Sequence, residues 1–529
     1  MSILSVSRRS PVAMHAMHAS HIAWRVATVV SCMAFAACHS DGAGPPAPGV
    51  TFSAEQVTLN PSGYAPLTAR IHVESSTGTK VAVRVAGKHG ATSDVRKAFD
   101  LLDTAHDVPI LGLYPNSTNT VELTFTNASG TEVGQRIYTI ATAPLLANTF
   151  PQITIDSKQE GMFAPGMTLV SYFGYGNTSS PQRPFIFDEF GDIRWYLDYA
   201  SSPSLANLFY DDGVERLQNG NFYFGDGSSN RVYEIDGLGQ VVNSWPLPGY
   251  QFHHEVQEKP NGNFLVTVSK QGATTVEDFV IEIDRTSKAI VRTWDLRTSL
   301  QYGRRTLTGD AVDWVHINAV AYDASDNTII VSGRTQGVVK LDADNHVVWI
   351  LGAHRGWGTA GDGTDLRDLL LQPLDRNGAP IADADVLDGS VNHPDFEWNW
   401  YQHAPLVMPN GHVMLFDNGD NRNFGGSPAY SRAVEFAIDP AAKTVRQVWA
   451  YGKARGAETY SRIVSDVDFL STENHVIFSP GAVNRATNFG KVVEMDYVTQ
   501  GIVFEATITP PIAQFGITLH RTERVALYP

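Results

Sequence analysis

Three histidines hold the same place in three similar hairpins. His254 opens HEVQEKPNGNFLVTVS, His316 opens HINAVAYDASDNTIIVSG, and His403 opens HAPLVMPNGHVMLF. His254 and His403 each lie seven residues before an Asn-Gly turn, and His316 lies seven before Asp323. A lone histidine beside a strand is usually a hydrogen-bonded structural residue. Three at one repeat position imply a shared site. Two chemistries fit such a cluster. One is a metal site, since imidazole is a common ligand. The other is an anion pocket with a nucleophilic imidazole. Arg334, 18 residues after His316 in SGRTQG, separates the two. A fixed guanidinium opposes a metal cation and suits a sulfate or phosphate group, which it can grip in bidentate fashion. Asn318, two residues after His316, shares its face on a strand and adds a donor. His254, His316, His403, Arg334 and Asn318 therefore describe an oxyanion pocket, with no metal and no cofactor expected.

The elements that must position these residues are strands. Past residue 150 a unit of roughly 50 residues recurs, built of short strands and Gly/Asn/Asp turns. Copies include NGNFYFGDGSSNRVYEIDGLGQVVNSW, NTIIVSGRTQGVVKLDADNHVVWI and NHVIFSPGAVNRATNFGKVVEMDYVTQGIVFE. A marker aspartate falls at 188, 236, 284, 342, 439 and 496, and most copies end in an aromatic residue. This periodicity predicts an all-β fold, with residues 146–529 forming a six-bladed β-propeller. Equivalent blade positions converge on the axis, so the histidines should face one another there. ITLHRTERVALYP is expected to close the ring, because a ring needs its ends paired. A long insertion from about 354 to 400 leads directly into His403 and is expected to form a lid. Ahead of the repeats, residues 51–145 alternate in period two (ARIHVES, KVAVRVAGK, NTVELTFTNASG), which predicts a small N-terminal β-sandwich.

The chain has 529 residues, a net charge of −16 and no Lys/Arg-rich run, so nucleic acid is not an expected partner. Its two cysteines, Cys32 and Cys38, both lie in the first forty residues. Arg8, Arg9 and Arg25 precede a short apolar run, VATVVSCMAFAAC, with no acidic residue before Cys38. This predicts an export signal over residues 1–37. Phe35-Ala36-Ala37-Cys38 is similar to a bacterial lipobox, in which Cys38 becomes the lipidated first residue. His39 follows instead of Asp, which favours the outer membrane. The expectation is a periplasmic lipoprotein on a flexible Gly/Pro-rich tether, residues 38–50. No Walker-type loop or dinucleotide fingerprint is present, which fits chemistry outside the cytoplasm.

DWVHINAVAYDASDNTIIVSGRTQGVVKL, FEWNWYQHAP and FDNGDNR, with NPSGYAPLTARIHVES and HDVPILGLYPN nearer the N-terminus, resemble the bacterial aryl sulfotransferases that use no nucleotide donor. The resemblance runs from about residue 55 to the end. It implies ping-pong transfer of a sulfuryl group from a phenolic sulfate ester to a phenol, through a sulfo-histidine at His403. His254, His316, Asn318 and Arg334 fall on the family's other pocket residues. Arg334 and a protonated His254 or His316 would hold the sulfuryl oxygens. The family's last-blade hydroxyl has Ser465 as its nearest substitute. Trp398 and Trp400 are candidates to stack on the aryl ring, or equally for ordinary packing. The partners expected are aryl sulfates, phenols, a membrane through the lipid anchor, and a second copy in a homodimer. The rival readings are an aryl sulfate hydrolase on the same site, a propeller that only binds, and a metal enzyme on the three histidines.

Overall fold

In a computed structural model of the protein, residues 49–173, 183–208, 213–484, 486–512 and 516–529 are described. The export segment, Cys38 and nearly all of the tether lie outside them. The fold is all-β, as the repeats imply.

The N-terminal strands Phe52–Leu59, Ala69–Val85, Val95–Ile110, Thr118–Thr126 and Glu132–Ala141 join into one antiparallel sheet. Along Ala69–Val85 buried residues alternate with more exposed ones, as β-branched residues at every second position require of a sheet with one dry face. Register slips between Glu74 and Val81 bend this long strand. The sheet thereby folds over itself: the Phe52 ring lies 4.5 Å from Phe125, and Glu55 accepts from Arg136 and Tyr138 at 3.0 and 2.8 Å. A two-layered, sandwich-like module results.

Six further sheets of four or five strands follow. Their innermost strands meet in cyclic order and close a ring, a propeller-like arrangement. The chain ends seal it: Thr518–Val525 pairs with Met167–Phe173, and Ile502–Thr509 pairs with Gln152–Lys158. The repeated aspartates are turn formers. The Oδ1 atoms of Asp188, Asp236 and Asp342 each accept from backbone N–H groups two and four residues on. The terminal tryptophans lace neighbouring sheets together. Nε1 of Trp195, Trp245, Trp294 and Trp449 donates to the carbonyls of Gly237, Arg285, Asp342 and Tyr497, all at 2.7–2.8 Å. Each carbonyl lies at the marker turn of the next sheet.

The two modules share a buried seam. Arg194, fully buried, donates to the Gly112 carbonyl at 3.0 and 2.7 Å and to Tyr114 Oη and Asp188 at 2.9 Å. Tyr528 Oη accepts from Leu111 N–H and donates to the Pro109 carbonyl, both at 2.9 Å.

The insertion differs from the expected lid. Its strand Gln372–Pro373 pairs in parallel with Thr444–Tyr451, the outer strand of its sheet. Leu371, Ile381, Val386 and Phe396 are buried against the neighbouring sheets. These apolar side chains draw the segment to the rim of the fold.

Candidate active site

Irregularities in the inner strands position the site. Register shifts fall at Phe252/Val256, Ile317/Ala319, His403/Leu406 and Leu519/Arg521. His254, His316, His403 and His520 lie in or beside these shifts. A bulge re-aims the side chain it carries, and His254, His316 and Ala404 take φ of 60°, 52° and 47°. That left-handed backbone is uncommon outside glycine and is held by cross-links. Thr267 Oγ1 accepts from Glu255 N–H at 2.9 Å and donates to the His253 carbonyl. Arg334 N–H donates to the His316 carbonyl at 3.0 Å, which explains their hairpin spacing.

His254 and His316 meet Nε2 to Nε2 at 3.1 Å. One nitrogen must donate and the other accept. Nδ1 of His316 faces Asp313 at 2.8 Å and Glu277 at 2.7 Å. Burial pulls the His316 pKa down, but the two carboxylates outweigh it and bring it up to about 9. Burial and then the neighbouring histidines hold His254 well below the ordinary imidazole value. The pair is therefore charged on His316, whose Nε2–H donates to neutral His254.

His403 is held as the opposite kind of imidazole. Its Nδ1 faces two acceptors, Asn418 Oδ1 at 2.7 Å and the Tyr401 carbonyl at 3.1 Å. The Asn418 amide cannot be reversed, because its Nδ2 donates to the carbonyls of Ser461 and Val464 at 2.9 Å. Nδ1 of His403 thus carries the hydrogen, and Nε2 keeps its lone pair. Burial, followed by the charge of Arg334, holds the His403 pKa well below normal. The strand entering His403 is tied down as well: the Gln402 carbonyl accepts from Asn318 Nδ2 at 2.8 Å and from Ser332 Oγ at 3.0 Å. Asn318 keeps a buried Oδ1 with no hydrogen-bond partner among the described residues.

Arg334 is the cation of the site. It makes no ion pair among the described residues, its Nε is buried without a hydrogen-bond partner, and its guanidinium lies 5.1 Å from the Tyr401 ring centre. Burial, then the nearby charge of Arg462, presses its pKa down. A half-buried guanidinium with no ion-pair partner among the described residues is a receptor for an anion.

Other expected site residues are engaged in turns or in packing. Ser465 Oγ is engaged with Ser461 Oγ at 2.8 Å and with Gly481 N–H at 2.9 Å, inside a turn. Trp398 and Trp400 are 1% exposed and belong to the core. Trp398 bonds the Val386 carbonyl at 2.8 Å and packs on Phe396, while Trp400 packs on Phe424. Tyr401 is the aromatic residue that edges the site. Sequence reasoning also missed Asn418, Glu277, Asp313 and His520. Asn418 lies in the FDNGDNR segment already singled out, and the His520 ring lies 6.5 Å from that of His254.

Among the described residues, two sets bring three possible metal ligands together: His253, His254 and Glu277, and Glu277, Asp313 and His316. The His253–Glu277, Glu277–His316 and His316–Asp313 contacts are 2.7–2.8 Å, the separation of a shared proton. Ligands about 2.0–2.1 Å from a tetrahedral cation would stand roughly 3.3 Å apart. At their present spacing these contacts are hydrogen bonds and ion pairs.

Just inside the histidines, the inner strands turn acidic. Glu255, Asp466 and Arg521 follow His254, Ser465 and His520, and with Glu215, Asp468 and Glu523 they line a cavity of about 330 Å³. Arg521 pairs with Glu255 and lies 3.8 Å from Glu215. Burial lifts Glu255 and Glu523 to about 8.

Residues 152–515 match the family described as arylsulfotransferase, and residues 56–143 match its Ig-like domain. The chain is 29% identical to the arylsulfate sulfotransferase AssT of Escherichia coli O6:H1 and 28% identical to that of Lelliottia amnigena. Both alignments cover 85% of this chain and 90% of the relative. Among solved structures, a virginiamycin B lyase from Staphylococcus aureus aligns over 68% of this chain and 99% of its own, at 8% identity and a TM-score of 0.34.

Proposed function

The chain belongs to the arylsulfotransferase family, and from that premise we propose that it transfers sulfuryl groups between phenols in two half-reactions through a sulfo-histidine at His403. The observation that carries this reading is the fixed tautomer of His403, whose Nε2 lone pair is free while Asn418 and the Tyr401 carbonyl take its Nδ1–H.

In the first half-reaction, His403 Nε2 forms a bond to the sulfur of an aryl sulfate and the sulfur–aryl oxygen bond breaks. The electron pair leaves with the phenolate oxygen. The proton between Nε2 of His316 and Nε2 of His254 neutralises that oxygen, and phenol departs. A phenolate needs this help less than an alkoxide would, because phenol titrates near pH ~10. Arg334, without a counter-ion of its own, holds the sulfuryl oxygens, whose charge it balances as the bond breaks. In the second half-reaction an acceptor phenol returns its proton to the imidazole pair while its oxygen bonds the sulfur and the sulfur–Nε2 bond of His403 breaks, its electron pair returning to Nε2. The sequence left open which imidazole is charged. The two carboxylates on His316 favour His316, with His254 as its neutral partner.

We further read the protein as exported to the periplasm and tethered to the outer membrane through Cys38. The Arg-bearing N-terminus, its apolar run and the FAAC sequence support this.

The test is to mix the purified protein with a chromogenic aryl sulfate, with and without phenol. The peptide containing His403 is then weighed for one added sulfuryl group. Phenol-dependent release with a labelled His403 is expected. Release indifferent to phenol would make the protein a hydrolase, and a label on another residue would overturn the assigned nucleophile.

A further inference from the structure

Glu277 lies outside the reaction just described, yet its surroundings are unusual. It sits between the strands Phe264–Lys270 and Phe279–Ile283, with a left-handed φ of 57°. A non-glycine residue in that region costs of order 1 kcal/mol or more unless its neighbours enforce it. Here they do. Glu277 N–H donates to Ser269 Oγ at 2.9 Å, and its carbonyl accepts from Ile317 N–H at 2.9 Å. Val276 N–H donates to the Val312 carbonyl at 3.1 Å, and Trp314 Nε1 donates to Asp278 at 3.0 Å. The segment is thus stitched to the one that carries His316.

The strained backbone aims one carboxylate at two imidazoles. Glu277 Oε1 lies 2.8 Å from His253 Nε2, and Oε2 lies 2.7 Å from His316 Nδ1. Together with the 3.1 Å contact between His316 and His254, these set four side chains in one row of close contacts. It runs from His253, whose side chain is 21% exposed, through Glu277 and His316 to His254. The contact between Glu277 Oε2 and His316 Nδ1 is an ion pair, while the Nδ1 hydrogen bond of His316 goes to Asp313.

We propose that Glu277 is a positioning residue: by bridging His253 and His316 it fixes His316 as the charged imidazole and links that charge to solvent at His253. The inference rests on the proposed function, which demands such a device. Between the half-reactions the first phenol has left with a proton and the second has not yet delivered one. The imidazole pair is then one proton short. A carboxylate bound to both His316 and an outer imidazole keeps the vacant position oriented for the incoming proton. It also allows exchange with bulk water if the acceptor is slow to arrive.

The groups that act on His316 come from several elements. Asp313 belongs to its own segment, Glu277 to the connection before Phe279–Ile283, and His253 and His254 to the Tyr250–Glu258 strand. Across the site stand His403 and Arg334. Glu277 and Asp313 are the anions among them, and Asp313 remains when Glu277 is neutralised, so the effect should be partial.

The experiment compares the full-length protein with Glu277→Gln and Glu277→Asp. Two readouts are used: the pH profile of kcat/KM for a chromogenic aryl sulfate with phenol, and the NMR titration of the His316 ring, assigned with His316→Asn. In the parent, activity should fall and the ring should titrate together on the alkaline side. In Glu277→Gln both midpoints should move down by about one pH unit or more. Activity at pH 8 should then fall about twofold for a one-unit shift and about tenfold for two, while changing little at pH 6. Glu277→Asp, with its charge on an arm too short to bridge both rings, should move them in the same direction by less. An equal loss at every pH, or a ring midpoint unchanged in both variants, overturns the inference. If the parent does not transfer sulfate but the ring midpoint still falls in Glu277→Gln, the positioning role stands and the proposed function fails.

Discussion

Replacing Arg334 by glutamine should move activity and stability in opposite directions. The guanidinium is half-buried, pairs with no carboxylate among the described residues, and keeps a buried Nε without a hydrogen-bond partner. Without substrate it is a half-buried cation with no ion-pair partner among the described residues, so glutamine removes part of a desolvation cost and breaks no ion pair. The expected stability change runs from zero to about 1 kcal/mol in favour of the variant, or roughly 1–2 °C in thermal midpoint. With substrate the balance reverses. Two charge-assisted hydrogen bonds to sulfuryl oxygens, each ~1.5–3 kcal/mol, are lost where water cannot replace them. The transition state should be destabilised by about 3–4 kcal/mol, a loss of roughly 10²–10³-fold in kcat/KM. Arg334 also holds the His403 pKa down, so the variant's imidazole should protonate more readily and the loss should deepen toward acid pH. The assay is release of a chromogenic phenol in the presence of an acceptor phenol at several pH values, beside a thermal melt. Activity within a few-fold of the parent would refute the anion-receptor role. A melting temperature several degrees lower would show that Arg334 supports the fold.

Asn418→Ala should leave the Ser461 and Val464 carbonyls and the His403 Nδ1–H with fewer partners; a thermal midpoint lower by ~2–3 kcal/mol of stability and a roughly tenfold or greater loss of transfer should be measured together. Because burial holds His403 neutral, sulfation of the enzyme should stay nearly constant as pH falls through the ordinary imidazole value of ~6.5, read by a single-turnover burst. Trp398→Ala should cost about 3–5 kcal/mol by denaturant unfolding, whereas Tyr401→Phe, which removes the hydrogen bond to the Leu307 carbonyl and the one from Asn421, should cost only ~1 kcal/mol and alter the KM for phenols. Tyr528→Phe should strand Leu111 N–H and the Pro109 carbonyl in the seam, lowering stability by ~1–3 kcal/mol in the same unfolding assay.

What the sequence disclosed follows from how local each signal is. The marker aspartates and terminal tryptophans were legible because an Asx turn and a strand end are written within a few residues. His254, His316 and His403 stood out because each precedes its own hairpin by a fixed spacing. His520 has the same bulged setting but was hidden. Its strand pairs with Met167–Phe173, from the other end of the propeller, so no nearby turn marks it. Glu277 and Asp313 were invisible for a related reason: they reach His316 from loops, where no periodicity operates. Trp398 and Trp400 could not be assigned to a site or a core from their order alone, because the insertion that contains them has no repeat to compare. Ser465 has the hydroxyl the resemblance asked for, but a turn at φ 90° directs it to Ser461 and Gly481.

The acid-lined cavity inside the histidines has a consequence for traffic. Its two cations, Arg521 and Arg524, are already matched by Glu255 and Glu494, so a sulfate ester finds no unpaired receptor there. The ring is therefore polarised, with a face that welcomes anions and an interior that does not. Under the proposed two-step transfer, donor and acceptor share the histidine-side entrance, where each occupies the room the other needs. Alternation of the two half-reactions is then a matter of queueing at a single door as much as of covalent chemistry.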